Sequence, residues 1–170
     1  ETGERELTGV LLGVDEDYTA LENELAQTVA NIESTHPGYD EYRYSVDEIG
    51  HNPYELASYL SAKYHVYFRE QVQDELREIF EAQYELTLTE EVEIRYRTET
   101  STDPETGETT TEEVPYEYYI LNVKLTSKPI SAVASELLTP EQMEMYQVYR
   151  QTMGNKPLLF GGGSPDTGVS

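Results

Sequence analysis

Two runs of alternating residues flank one turn sequence, and together they restrict this chain more than any other feature. Leu86, Leu88, Val92, Ile94 and Tyr96 fall on even positions, with Thr87, Thr89, Glu91, Glu93, Arg95 and Arg97 on odd ones. Further on, Tyr119, Leu121, Val123 and Leu125 are odd, with Asn122, Lys124 and Thr126 even. A period of two is the signature of strands with one apolar face. Between the runs, Pro104-Glu105-Thr106-Gly107 puts Pro where a fixed φ suits a turn and Gly where a positive φ is needed. Pairing Asp103 with Glu108 makes partner numbers sum to 211, which is odd, so even residues face odd ones. Leu86 then meets Leu125, Leu88 meets Val123 and Val92 meets Tyr119. Both apolar sets share a face, and a slip of one residue would separate them. A bulge near Glu90 or Val114-Pro115 is the expected local exception. The tip, residues 99–113, holds six acids and no base, and is expected to project as a polar ribbon.

Helical signals surround this hairpin. Tyr18, Leu21, Leu25, Val29 and Ile32 recur at steps of three and four, and predict a helix beginning near Asp15-Glu16-Asp17, with Glu22 on its water face. Residues 1–14 are expected to be a lead-in, with Val10-Leu11-Leu12 as a possible short strand. Tyr42, Tyr44 and Val46 predict a short strand. Asn52 then caps a helix that starts at Pro53, with Leu56, Tyr59, Leu60 and Tyr64 as its buried stripe. Another helix buries Val72, Leu76, Ile79 and Phe80 and turns Asp74, Glu75, Arg77 and Glu78 to water. Thr139-Pro140-Glu141-Gln142 reads as a capping box before a final helix, with a weaker helical turn at 132–137 ahead of it. The fold class is therefore α+β, helices packed on one face of a small antiparallel sheet built on a long β-hairpin. NTF2-like and cystatin-like folds are arrangements that such elements allow. Residues 15–157 are expected to form one domain, and the Gly-rich residues 158–170 a linker to a further domain of a longer protein.

Composition narrows the function. Eleven basic and 34 acidic residues leave a formal charge of −23, which repels phosphate and anionic lipid. Nucleic acid is excluded as a partner, and no apolar run is long enough for direct membrane insertion. With no Cys there are no disulfides, thiolate sites or cysteine nucleophiles in this segment. Fifteen tyrosines against three phenylalanines and no Trp predict a core partly built of tyrosine, whose hydroxyls need partners.

Chemistry-bearing patterns are sparse. His51 and Glu55 are four apart, but no third metal ligand accompanies them. His51 is expected to pack beside the helix cap. Carboxylate pairs abound, and a glycosidase would need two of them across a cleft with one pKa raised by an apolar wall. Solvated surface acids are the simpler reading. Tyr96, Tyr116, Tyr118 and Tyr119 form the best cluster for stacking on a sugar ring, against strand packing as the plainer role. Candidate binding residues are thus His51, Asn52 and Tyr54 at the capped corner, with Tyr96, Tyr116 and Tyr118 on the hairpin. No catalytic residue, metal ligand or cofactor site is assigned.

Several stretches resemble a known family. They are Tyr42-Arg43-Tyr44, the run Asp47-Glu48-Ile49-Gly50-His51-Asn52-Pro53-Tyr54-Glu55-Leu56, Tyr84 with Leu86-Thr87-Leu88, residues 119–126, and Gly154-Asn155-Lys156-Pro157. The chain is similar, over roughly residues 35–160, to the extracytoplasmic middle region of cell-wall hydrolases carried on conjugative transposons of Gram-positive Firmicutes. In that family a membrane anchor precedes this region and a peptidase domain of the CHAP or NlpC/P60 type follows it. The resemblance implies a non-catalytic extracytoplasmic, cell-wall-associated domain. It would position a peptidoglycan hydrolase and dock it to other proteins of a conjugation channel. Those peptidases use a Cys nucleophile with a His, so none of their catalytic residues maps onto this chain. The alternatives are a glycan or peptide-binding module using the Tyr cluster and, less favoured, a carboxylate-based glycosidase; that the glycan would be that of the cell wall, with peptidoglycan as ligand, is what the resemblance implies.

Overall fold

The computed structural model describes residues 2–154, with side chains from 9 to 152. The expected linker at 158–170, and most of the Gly154–Pro157 stretch, lie outside the described residues. The protein is α+β. In order come α1 (Thr2–Ala30), α2 (Ile32–Thr35), β1 (Glu41–Val46), α3 (Pro53–Tyr64), a 3-10 turn (Arg69–Val72) and α4 (Gln73–Gln83). Then follow β2 (Tyr84–Thr102), β3 (Thr109–Ser127), α5 (Ile130–Leu137) and α6 (Pro140–Gly154). The chain forms two compact units. One takes in α1, Asp47–Glu85 and the described residues from Thr126 on, and the other Asn31–Val46 and Leu86–Leu125.

The helical unit buries Leu11, Val14, Tyr18, Leu56, Tyr59, Leu60, Leu76, Ile79, Ile130, Val133 and Tyr146 in one cluster. No strand forms at Val10–Leu12. Leu11, Val14 and Tyr18 continue the helical stripe toward the N-terminus, so burial carries α1 through Gly9 and Gly13. At Gly13 the absence of a side chain matters, because a Cβ would meet the Arg69 guanidinium at 3.0 Å. Asp15, Glu16 and Asp17 consequently lie within α1 and not at its start. Asp17 instead holds Arg69 through two bonds of 2.8 and 2.7 Å. Helix α3 starts as expected, with Asn52 Oδ1 accepting from Tyr54 N at 2.8 Å and Glu55 N at 3.3 Å. Ahead of α6, Thr139 N donates to Gln142 Oε1 and Gln142 N to Thr139 Oγ1, which completes the capping box.

The sheet unit has strand order β1-β3-β2. β1 runs parallel to β3, pairing Tyr42 with Leu121, Tyr44 with Val123 and Val46 with Leu125. The sheet is therefore mixed, an antiparallel hairpin with one parallel strand added. Asp103 N donates to Glu108 O at 2.8 Å, and Gly107 takes a φ of +74°. Ser101 meets Thr110 and Thr98 meets Glu113, so the tip keeps the expected sum of 211. The single turn α2 lays Ile32 on Leu121 and Val123, with Tyr39, Tyr42, Leu86 and Leu88 around them.

Candidate functional site

Two acids expected in water are buried. Glu22 is 5% exposed and Glu75 is 7% exposed. Glu75 is satisfied by Lys63 Nζ at 2.8 Å and the Tyr64 hydroxyl at 3.0 Å, with the Tyr59 hydroxyl at 3.5 Å. Glu22 belongs to a larger constellation around His51. The imidazole Nε2 lies 2.5 Å from Asp15 Oδ1, and Nδ1 lies 2.9 Å from Glu22 Oε1. Ionised carboxylates only accept, so a ring bonded to two of them donates from both nitrogens and is an imidazolium. Burial pulls the His51 pKa down, but the two carboxylates outweigh it and raise the pKa to about 9.

The network continues outward from Glu22. Its Oε2 accepts from the Tyr84 hydroxyl at 2.6 Å, and the Tyr84 hydroxyl oxygen in turn accepts from Gly50 N at 2.9 Å. Tyr18 stands edge-on to the His51 ring at 4.8 Å between centroids, and its hydroxyl donates to Gln83 Oε1. Burial is the main reason that the Tyr18 and Tyr84 hydroxyls are pushed above the ordinary phenol range. His51 thus fastens the loop before α3 onto α1. It is not a free base, because both nitrogens are engaged and its side chain is only 5% exposed. Glu55, the partner suggested by spacing, instead meets Arg150 of α6 at 3.2 Å. An open depression of about 500 Å³ lies beside this network, with His51, Asn52, Glu55, Gln83, Lys128 and Ile130 among its walls. Among the described residues no group of His, Cys, Asp and Glu has the geometry of a metal site.

The capped-corner candidates therefore come together: His51 and Asn52 line the depression, and Tyr54 is buried in the first turn of α3. The hairpin candidates belong to the other unit and divide between two faces. Tyr116 and Tyr118 share the polar face. The Arg95 guanidinium lies 3.5 Å from the Tyr118 ring centroid, and that of Arg97 lies 5.6 Å from Tyr116. The Tyr118 hydroxyl donates to Glu41, which also pairs with Arg43 at 2.6 Å. Alternation puts Tyr96 and Tyr119 on the opposite, apolar face, where they are 62% and 39% exposed.

That apolar face carries a feature that patterning alone did not reveal. Beyond the reach of Ile32 it is open, with Val92 48% and Ile94 57% exposed. Arg95, Glu91 and Glu93, on the polar face, are each half-buried instead. Over this stretch the aliphatic side is thus no better covered than the charged side, which is unusual for a sheet with one wet face. Among the described residues, no helix is long and apolar enough to cross a membrane. No family model, curated protein or solved structure matches this chain.

Proposed function

We propose that this segment is a non-catalytic docking domain. It stands outside the membrane, positions a peptidoglycan hydrolase carried on the same longer protein, and joins it to other proteins of a conjugative-transfer channel. The observation that supports docking most directly is the open row Val92, Ile94 and Tyr96 with Tyr119 beside it. A contiguous exposed apolar face is costly in water and is characteristic of surfaces that meet another protein. The family, the location and the hydrolase come from the resemblance of the Ile49–Leu56 and 119–126 stretches. A catalytic reading gains little from the geometry, since His51 is held as an imidazolium by two carboxylates.

The reading is tested in the longer protein. Ile94→Asp and Tyr96→Asp should leave its turnover of purified peptidoglycan unchanged and reduce its co-purification with other channel proteins. Loss of turnover with intact co-purification would refute it. Glycan binding is the weaker alternative, because Arg95 already covers Tyr118 and Arg97 stands over Tyr116. Saturable binding of wall glycan, abolished by Tyr96→Ala, would favour that alternative.

A further inference from the structure

The charges of the sheet unit are sorted by face. Its basic residues are Arg43, Arg95, Arg97 and Lys124. By alternation along β1, β2 and β3, all four lie on the polar face. There Arg43 pairs with Glu41, Arg95 with Glu93 and Arg97 with Glu99. The apolar face carries Glu90 on β2 and Glu113 and Glu117 on β3, with Asp40 at the entry to β1. Among the described residues none of these four acids is in an ion pair. Glu90 accepts from the Tyr39 hydroxyl, Glu117 from the Tyr119 hydroxyl, Glu113 from Thr98 and Asp40 from Tyr119 N. Each is hydrogen-bonded by a neutral donor and keeps its charge uncompensated.

The open apolar row is therefore rimmed by unneutralised acids and no base. A second copy would bring the same acids against these, from a chain of net charge −23. The complementary occupant has an apolar stripe flanked by Lys or Arg. Its form follows from the layer already begun. α2 covers Leu121 and Val123 with a single helical turn, and the same sheet face continues uncovered past it. Helices are the usual second layer on a sheet face of this kind.

We infer that the open half of this face, Val92, Ile94, Tyr96 and Tyr119 with Glu90 and Glu117, receives a basic amphipathic helix of a partner protein. This names the chemistry of the partner and rests on the docking reading above. Apolar contact would supply affinity, and the acidic rim orientation and rate of encounter.

The test uses the 170-residue chain and an 18-residue helical peptide of leucine and lysine with one apolar stripe. A scrambled peptide of identical composition serves as control, and both are titrated by calorimetry. One-site binding is expected to the ordered peptide, at least tenfold tighter than to the scrambled one. Ile94→Asp should weaken it at least tenfold. That substitution adds a negative charge, which alone would strengthen attraction to a cationic peptide, so the loss can come only from the apolar contact. Glu117→Lys should weaken binding several-fold, and circular dichroism should show both variants folded as the parent. Equal affinity for ordered and scrambled peptides would overturn the inference in favour of net charge alone. So would Ile94→Asp without effect. A dimer in sedimentation equilibrium that Ile94→Asp abolishes would assign the face to a second copy. If the peptide fails while Ile94→Asp still reduces channel co-purification, docking stands and the basic helix falls.

Discussion

His51 Nε2 and Asp15 Oδ1 stand 2.5 Å apart, joining residues separated by 36 positions. The second nitrogen meets Glu22, so one ring holds the loop before α3 against two points of α1 about two turns apart. The consequence is a stability that depends on pH. In the unfolded chain a His titrates near 6.5, and here it titrates near 9. A raised folded pKa contributes stability that is fully present below the unfolded value and is lost as pH rises through the folded one. The Tm should therefore fall between about pH 6.5 and 9, with up to ~3 kcal/mol at stake. His51→Gln should lower the Tm at pH 6 and flatten this decline. A wild-type Tm that stays level across the window would contradict the imidazolium assignment.

Glu75 makes a second prediction. It is a nearly buried carboxylate that satisfies a lysine and a tyrosine hydroxyl, with a second hydroxyl at the limit of bonding distance. Truncating it leaves the buried Tyr59 hydroxyl without that acceptor, while Lys63 and Tyr64 are open enough to turn to water. Glu75→Ala should cost roughly 1–3 kcal/mol, since a buried donor left without its partner is the expensive outcome. Glu78→Ala, three residues on and exposed, should stay within about 0.5 kcal/mol. Chemical denaturation of the two variants compares them directly.

Those two acids also show where sequence reading stops. Both were expected in water because a carboxylate on a helix defaults to the solvent side. What buries Glu22 is His51, 29 residues away, and Tyr84, 62 residues away. No local pattern carries such a pairing. Local signals did carry the Asn52 cap, the Thr139–Gln142 box and the turn at Gly107, because each is complete within a few residues. The hairpin marks the intermediate case. Alternation identified which residues of β2 and β3 share a face, yet Leu88 is half-covered and Ile94 is open. Period two reports the face; coverage depends on how far α2 extends. Division into two units was not legible, since each is assembled from separated stretches of chain.

The capped corner separates a local contribution from a packing one. Asn52 accepts from two backbone donors of α3, and Leu56 is 1% exposed in the helical cluster. Asn52→Ala should destabilise by about 1 kcal/mol, with Asn52→Gly closer to wild type. Leu56→Ala should cost roughly 2–5 kcal/mol. Guanidinium denaturation measures both. An Asn52→Ala variant that is fully stable but no longer recovered with the channel proteins proposed as partners would reassign the corner from structure to docking.

The last prediction reverses the usual ranking of side chains on a strand. Leu121 is 2% exposed beneath Ile32, so Leu121→Ala should lose ~2–5 kcal/mol. Ile94, although aliphatic and on the same face, is 57% exposed and outside that cluster. Its truncation removes little buried surface and should leave the Tm almost unmoved. Arg95 lies on the polar face, yet it rests on the Tyr118 ring and pairs with Glu93 and Glu41. Its methylenes and guanidinium cover surface that Ile94 does not. Arg95→Ala should accordingly lower the Tm more than Ile94→Ala, and high salt should narrow the gap by screening the ion pairs. If Ile94→Ala proved the more destabilising of the two, the face treated as open would be covered within the folded chain, and the case for a partner there would end.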